Sequence, residues 1–330
     1  MAETDHSFSM RTGFVLLLTG LLTSPAFADL IVTQGTLGVA HYTNDGVSLG
    51  MLIAPGTGGL SDARGVAVSP AGDLYVSDFA NNDILKFSAA GVFQGILASG
   101  ANVDVPLGLA LGTGGDLFVA SAGAVSNIAR VDPNTGTVTN PSFTFGNALV
   151  LGGPQYLTFG PNLAVTDIAG HLFRFDAATG ASISSGAFDN PVGVAFDSAG
   201  DLFMAQRISN NVLKFPAGGG APSIVIPMGA FSGQPADLAI GPDGLLYLAA
   251  TNAIYRFDVS GADGVLVDSF GTGGRYLTFT PSVPEPSTGL LLLAALVCFA
   301  SLRGCYRSFN RSVLREPRRC GIAAAHCRWS

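Results

Sequence analysis

The residues best suited to chemistry in this sequence are aspartates that end short apolar segments. Residues 29–285 contain 19 Asp, and Glu285 is the only Glu among them. Asp78 and Asp167 each follow such a segment, and carboxylate oxygens are ligands that Ca²⁺ prefers. With the neutral oxygens of Asn190 and Gln206 they could form a calcium site. The alternative is that these aspartates accept hydrogen bonds from the backbone of the following turns.

Other catalytic residue types are sparse. Zinc or acid–base chemistry of the lyase kind needs several convergent His, and residues 29–285 contain only His41 and His171. No Gly-x-Ser-x-Gly segment precedes a helix, as a serine hydrolase of that type would require. All four cysteines follow residue 297. The preceding part of the chain therefore has neither a disulfide framework nor a thiolate metal site.

Basic residues are few and regularly placed. Residues 29–285 carry 20 acidic and 8 basic side chains, a net charge of −12 that argues against nucleic-acid binding. Five of the basic residues recur at one position per repeated unit: Lys86, Arg130, Arg174, Lys214 and Arg256. They could form a ring that binds acidic polysaccharide, but their alternation with aromatic residues favours strand positions paired with a neighbouring Asp. The other three are predicted in loops on the ligand-binding face, where they could contact an anionic partner: Arg64, Arg207 and Arg275.

A repeated unit determines the elements that position these residues. The equivalent positions Val66, Leu109, Leu157, Val194 and Leu238 are 43, 48, 37 and 44 residues apart. A period of 40–50 residues with short strands and turn glycines is typical of propeller blades. Each unit predicts a strand, a Gly-Asp or Asp-Gly hairpin turn, a second strand, a polar loop, a third strand and a weaker fourth strand. Four aspartates are predicted to cap the turns: Asp73, Asp116, Asp201 and Asp243.

The two ends of the repeated region together supply a sixth unit. Residues 276–280 resemble a first strand without successors, and residues 29–53 resemble a second, third and fourth strand. Joined in one sheet they would leave no open sheet edge at the seam. The sequence therefore predicts an all-β, six-bladed β-propeller over residues 29–282, closed by residues 276–280 pairing with residues 29–53.

The beginning of the chain has the features of a signal peptide. Arg11 precedes the apolar segment 14–23, which is too short to span a membrane comfortably. Ala26 and Ala28 then form an Ala-x-Ala arrangement before Asp29. This pattern predicts a signal peptide over residues 1–28, cleavage after Ala28, and export of the protein.

The end of the chain has a tripartite pattern. The extended motif Val283, Pro284, Glu285 and Pro286 is followed by the apolar segment 289–302 and then by Arg303 and Arg307. Such a segment predicts a short transmembrane helix with arginines retained in the cytoplasm. Residues 283–307 resemble the PEP-CTERM sorting signal of Gram-negative bacteria. That resemblance implies an exosortase as processing partner, transient anchoring in the inner membrane, and delivery to the cell surface or extracellular matrix. Residues 308–330 form a basic tail that we expect to be disordered.

The repeated unit resembles a known family. The Gly-Val-Ala-Val and Gly-Asp-Leu-Tyr-Val segments of the first unit, followed by Asn81 and Ile84 to Phe87, resemble the NHL repeat, and the likeness extends over about residues 29–280. It implies a six-bladed fold and, for many members, a binding or scaffold role. A few related propellers are Ca²⁺-dependent lactonases, amidating lyases or streptogramin lyases.

We therefore expect a non-enzymatic binding or scaffold module whose partner is an exopolysaccharide or another surface protein. The alternative is a Ca²⁺-dependent enzyme of the lactonase or lyase kind. Related lactonases use a Glu in their metal set, and Glu285, the only Glu of residues 29–285, belongs to the sorting motif. No cofactor is predicted for the binding module, and Ca²⁺ is the one that the alternative would require.

Overall fold

The computed structural model describes residues 28–124, 126–144, 151–269 and 276–281. Within them the chain forms six four-stranded antiparallel sheets, so the predicted all-β, six-bladed propeller is confirmed. No helix of these residues is long and apolar enough to cross a membrane. The predicted sorting segment, the basic tail and all of the predicted signal peptide except Ala28 lie outside the described residues.

The strands are numbered in chain order. The chain starts with β1 (Leu30–Thr33), β2 (Val39–Tyr42) and β3 (Ser48–Ile53). Blade 1 consists of β4 (Ala63–Val68), β5 (Leu74–Asp78), β6 (Asp83–Phe87) and β7 (Phe93–Ser99). Blade 2 consists of β8 (Pro106–Leu111), β9 (Leu117–Ser121), β10 (Asn127–Val131) and β11 (Val138–Asn140). Blade 3 consists of β12 (Pro154–Phe159), β13 (Leu163–Asp167), β14 (His171–Phe175) and β15 (Ser182–Ala187).

The remaining strands complete the ring. Blade 4 consists of β16 (Pro191–Phe196), β17 (Leu202–Gln206), β18 (Asn211–Phe215) and β19 (Ser223–Ile226). Blade 5 consists of β20 (Pro235–Ile240), β21 (Leu246–Ala250), β22 (Ala253–Phe257) and β23 (Val265–Ser269). Blade 6 combines β24 (Leu277–Phe279) with β1, β2 and β3. Two single-turn 3₁₀ helices, Thr57–Gly59 and Ala101–Val103, precede the first strands of blades 1 and 2.

Blade 6 joins the two ends of the propeller. β24 pairs antiparallel with β1, with Leu30 opposite Phe279 and Val32 opposite Leu277. The backbone N–H of Asp29 also donates to the Thr280 hydroxyl at 2.8 Å. The two ends of the propeller are thus joined by hydrogen bonds, and β1 has no unpaired edge at the seam.

The order of strands in each blade runs from the axis outward. The first strands of neighbouring blades contact one another around the ring. The second strands of blades 1 to 5 are buried along their whole length, because each sheet packs between two neighbouring sheets. This explains why the second strands are continuous apolar segments, whereas strands with one face exposed to solvent would alternate apolar and polar residues.

The two ends of the ring differ in what they present. The start of each first strand lies beside the end of the second strand, as Ala63 lies opposite Asp78 and Pro154 opposite Asp167. We call this end the upper face; it is defined by the first residues of β4, β8, β12, β16 and β20 and by the turns that follow the second strands. The Gly-Asp hairpin turns are at the opposite end. Gly72, with φ of 90°, adopts there a left-handed conformation that favours glycine.

Candidate functional site

Asp78 holds the upper loops of blade 1 together. It is fully buried at the end of β5. Its carboxylate accepts hydrogen bonds from the backbone N–H groups of Ser61 at 2.8 Å, Asp62 at 3.0 Å and Ala80 at 3.2 Å. The side-chain amide of Asn81 donates to it at 2.8 Å. These four donors surround the carboxylate, as expected for an aspartate that caps turns.

Asp167 has the same position and a similar environment in blade 3. It is fully buried at the end of β13 and accepts hydrogen bonds from the backbone N–H groups of Gly152 and His171, both at 2.8 Å. The His171 Nδ1 atom lies 3.3 Å from the carboxylate. The recorded partners of Asp78 and Asp167 all belong to their own blades, and no contact between the two aspartates is seen.

The two neutral residues proposed as calcium ligands, Asn190 and Gln206, lie at the start of the first strand and at the end of the second strand of blade 4. Asn190 precedes β16 with φ of 54°, a left-handed conformation that Asn adopts more readily than most residues. Its carbonyl accepts a hydrogen bond from the Arg207 N–H at 3.0 Å. Gln206 is buried at the end of β17, opposite Pro191. In the part of the chain that the structure describes, no group of three or more His, Cys, Asp or Glu side chains is arranged to hold a metal ion. Calcium binding stays a prediction, and an ion would have to displace the donors around Asp78 and Asp167.

Two of the three predicted loop arginines lie at the upper face. Arg64 was predicted in a loop but is the second residue of the strand β4. It forms a two-pronged ion pair with Asp62, with the shorter contact at 2.8 Å, and its guanidinium carbon lies 4.5 Å from the centroid of the Phe79 ring. Arg207 follows β17, and its Nε is 3.5 Å from the Pro235 carbonyl. The third, Arg275, lies outside the described residues.

The third-strand cations mostly pair with aspartates, as the alternation predicted. Lys86 lies 3.1 Å from Asp73 and Lys214 lies 2.7 Å from Asp201, and Arg130 pairs with Asp116 in the same way. In blade 6 the equivalent pair is His41 with Asp29, at 2.8 Å. Two blades differ: Arg256 donates to the Asn44 carbonyl at 3.4 Å, and Arg174 has no ion pair within the described residues.

These pairs change the interpretation of the turn aspartates. Asp73 and Asp116 were predicted to cap hairpin turns, but their carboxylates hold third-strand cations instead. Asp201 also departs from the prediction: besides Lys214 it accepts a hydrogen bond from the Ala217 N–H at 2.7 Å, in the turn after β18, while Asp197 caps the hairpin turn before β17. Asp243 accepts from the Leu245 N–H at 3.1 Å, as a turn cap does.

A buried polar cluster at the axis was missed by the sequence analysis. Tyr156 from blade 3 and Tyr276 from blade 6 stack with their ring centroids 4.5 Å apart. The Tyr276 hydroxyl donates to the Gln155 carbonyl at 3.2 Å. Blades 3 and 6 lie opposite each other in a ring of six, so this pair bridges the axis. Both tyrosines are buried, and they cover the upper end of an axial cavity of about 380 Å³.

Asp237 of blade 5 completes this cluster. It is buried, and the Leu277 N–H donates to its carboxyl at 2.8 Å. Burial raises the pKa of Asp237 to about 8, although hydrogen bonds from the Leu277 and Leu238 backbones act in the opposite direction. Burial, with the nearby Asp237 as a smaller cause, raises the pKa of the Tyr156 hydroxyl. The cluster is therefore largely neutral at pH 7.

The sequence does contain a signal for this cluster. The third residue of the first strand is Gly65, Gly108 and Gly193 in blades 1, 2 and 4. A Cβ at any of these glycines would clash with the backbone of the next blade. Blades 3, 5 and 6 place Tyr156, Asp237 and Tyr276 at the equivalent position. Departures from the repeat therefore identify the residues that meet at the axis.

Exposed apolar side chains mark the turns after the second strands. They lie in blades 6, 1, 3 and 4, at Leu37, Phe79, Ile168 and Ile208, with exposed fractions of 44%, 36%, 58% and 72%. Equivalent turns of a propeller lie at the same end of the ring, so these four side chains share the upper face. Apolar groups exposed together are typical of interaction surfaces.

Comparison with known proteins agrees with this architecture. Residues 60–87 match the family described as NHL repeat. The chain carries an NHL repeat within a six-bladed propeller. A comparison with curated protein sequences finds no significant match.

Several solved structures are similar to the NHL-like propeller. A chain of a nidogen/laminin complex has a TM-score of 0.63 at 15% identity, covering 78% of this chain and 99% of that one. A gluconolactonase from Xanthomonas campestris has a TM-score of 0.58 at 16% identity, covering 79% and 94%. A streptogramin B lyase has a TM-score of 0.55 at 17% identity, covering 76% and 84%. At these identities the likeness establishes the fold, and one fold hosts many functions.

Proposed function

We propose that this protein is an exported binding or scaffold propeller that acts at the cell surface or in the extracellular matrix without catalytic turnover. Its partner would be an exopolysaccharide or another surface protein, held on the upper face. An exosortase would process the sorting segment after transient anchoring in the inner membrane. This proposal combines the predicted export and sorting signals with the geometry of the upper face.

One observation carries the proposal: the apolar side chains of Leu37, Phe79, Ile168 and Ile208 are exposed on equivalent turns. Aromatic and aliphatic side chains next to Arg are favoured in protein-binding surfaces, and Arg64 stacks on Phe79 here. The occurrence of a similar fold in a nidogen/laminin complex is consistent with a protein partner.

The axis offers less support for catalysis. The stacked rings of Tyr156 and Tyr276 cover the upper end of the axial cavity. A substrate approaching from the upper face would have to displace them. Asp237 is buried beside these rings, and its carboxyl accepts a hydrogen bond from the Leu277 N–H.

The proposal can be tested by retention of the protein in the matrix. In a triple variant, Leu37→Ser, Ile168→Ser and Ile208→Ser, we expect release of most of the protein from the cell-surface and matrix fraction into the medium. The matched control is Ile183→Ser, Ile224→Ser and Leu266→Ser, which removes equally exposed apolar side chains from the outer strands. Equal retention of both variants and the unmodified protein would contradict a partner on the upper face.

The alternative, a Ca²⁺-dependent lactonase-like or lyase-like enzyme, makes a different prediction. Millimolar Ca²⁺ would then raise the melting temperature above its value in EDTA, because a ligand at 100 times its Kd adds about 2.7 kcal/mol. Asp78→Asn would remove that increase. For a binding propeller without a metal site, we expect equal melting temperatures in Ca²⁺ and EDTA.

A further inference from the structure

Blade 3 differs from its neighbours around the third-strand cation. In blade 4, Lys214 faces Phe203 across the sheet and pairs with Asp201. In blade 3, Arg174 faces Ala164, and the residue that precedes the second strand is Asn162. The aromatic ring and the carboxylate that accompany the cation in blade 4 are therefore both missing.

The guanidinium of Arg174 turns instead toward the next blade. Its carbon lies 5.7 Å from the centroid of the Phe215 ring, whereas Lys214 lies 5.3 Å from the ring of Phe203 in its own blade. Burial lowers the pKa of Arg174, and no carboxylate of the described residues pairs with it. The position thus places a partly desolvated cation where an anion would be favourable.

A cleft lies in front of this guanidinium. Its volume is about 170 Å³, and it separates blades 3 and 4 on the outer half of the ring. Phe188 and Phe215 meet edge to face in its wall, with ring centroids 5.5 Å apart. Ser184 and Ser185 are exposed at the blade 3 side. The cleft therefore combines one cation, apolar ring surface and hydroxyl groups.

We propose that this cleft binds the carboxylate of an acidic sugar residue, a uronate within a polysaccharide. The planar guanidinium of Arg174 matches a carboxylate with two parallel hydrogen bonds. The Phe188 and Phe215 rings provide apolar surface for the sugar ring, and the hydroxyl of Ser184, which lies opposite Arg174 in the sheet, pairs with a sugar hydroxyl. This site is separate from the upper face and goes beyond the function proposed above.

The same observations favour a sugar over an acidic peptide. The cleft contains one cation, which pairs with a single carboxylate, and the rest of its lining includes aromatic rings and serine. In a uronate each carboxylate is flanked by hydroxyl groups and ring carbons, and these match Ser184 and the phenylalanines of the cleft.

The test is calorimetric titration of the full-length protein with trigalacturonate. We expect saturable binding that the fully methyl-esterified trisaccharide does not show, since esterification removes the charge and keeps the sugar rings. Equal binding of the ester would overturn the proposal. Equal or tighter binding of triglutamate or inorganic phosphate would also overturn it, because it would point to a peptide site or an unselective anion site.

Variants locate the site. Arg174→Gln should weaken trigalacturonate binding at least about tenfold, since a hydrogen bond to a charged group is lost. The affinity of Arg174→Lys for trigalacturonate should lie between those of Arg174→Gln and the unmodified protein, because lysine keeps the charge without the two-pronged geometry. Asn162→Asp should also weaken binding, since it supplies the acid that blade 4 has at this position. Unaltered binding by Arg174→Gln would overturn the assignment.

Two controls separate this site from other effects. Arg130→Gln removes the equivalent cation of blade 2, which already pairs with Asp116, and should bind trigalacturonate normally. The triple variant Leu37→Ser, Ile168→Ser and Ile208→Ser should do so as well, whether or not it is retained in the matrix. Weakened binding by either control to the extent seen with Arg174→Gln would overturn the proposal.

Discussion

Blades 3 and 4 have the same strand order but differ both at the axis and on the outer half of the ring. At the axis, blade 4 has Gly193, while blade 3 has Tyr156, which stacks on Tyr276. On the outer half, blade 4 has the Lys214–Asp201 ion pair, while Arg174 of blade 3 has no acidic partner among the described residues. The blade that departs from the repeat thus contributes to both the axial cluster and the outer cleft.

This difference shows which positions of the repeat can vary between blades. The second strands are buried and nearly interchangeable, because each must pack between two neighbours. The third residue of the first strand and the partner of the third-strand cation tolerate replacement in some blades. Three sets of variants compare blades that keep the residue of the repeat with blades that depart from it.

The largest effect is expected in a blade that keeps the axial glycine. Gly193→Ala should lower the free energy of unfolding by about 2 kcal/mol, because its Cβ would press against the backbone of Asp237 and Leu238. Urea denaturation measures the change. Gly114→Ala, in a turn where a Cβ meets open space, should change stability by less than about 0.5 kcal/mol. Equal changes in the free energy of unfolding would show that the close approach of blades 4 and 5 does not limit the size of the residue at position 193.

An intermediate effect is expected in a blade that replaces the axial glycine, at Asp237. Its folded pKa of about 8 lies above the ordinary value of 3.8, so between these pH values the folded protein holds a proton that the unfolded chain has lost. The contribution of Asp237 to stability is then greatest below pH 4, falls as the pH rises toward 8, and is constant above. Asp237→Asn should remove this decrease and be more stable than the unmodified protein at pH 8 by at least about 1 kcal/mol.

The control for this pH dependence is Asp201, whose pKa is lowered, mainly by its hydrogen bond with Lys214. A lowered pKa contributes stability above the ordinary value of 3.8 that is lost as the pH falls. Asp201→Asn should therefore reduce stability at neutral pH. Chemical denaturation between pH 4 and 9 separates the two cases, and parallel curves for Asp237→Asn and the unmodified protein would contradict the raised pKa.

The smallest effect is expected at the third-strand cations. Lys214→Met should cost about 0.5 kcal/mol, since it leaves Asp201 without its partner at a partly exposed position. Arg174→Met should cost nothing or stabilise the protein, because burial of its charge is not offset by an acid. Thermal unfolding of the two variants at low salt measures the difference. A greater loss for Arg174→Met would mean that its contact with Phe215 is more important than its charge.

The fold was predictable from the sequence because blade length, turn glycines and buried second strands all repeat with one period. The pairing of Lys86 and Lys214 with aspartates was predictable as well, since alternation along a strand determines which face a side chain occupies. The roles of Asp73 and Asp116 were not, because a turn aspartate can reach either the backbone or the adjacent strand.

The axial cluster needed the three-dimensional ring. Tyr156 and Tyr276 are 120 residues apart, and only the closure of six blades places them opposite each other. Asp78 and Asp167 show the converse case. Their types and positions suit a metal ion, but their surroundings depend on the loops before β4 and β12, whose N–H groups converge on the carboxylates. Loop conformation of this kind is not encoded in a short motif.

The pairing of β24 with β1 has a consequence for the order of folding. Residues 277–279 complete the sheet that residues 30–53 begin, so the blade encountered first during synthesis is finished last. Until then β1 has a free edge, and the Asp237 carboxyl lacks its hydrogen bond from the Leu277 N–H. A chain that stops before residue 277 therefore exposes a strand edge of the kind that promotes aggregation. Because β24 is the last strand of the propeller, β1 can be paired and the ring closed only after the whole propeller has been synthesised.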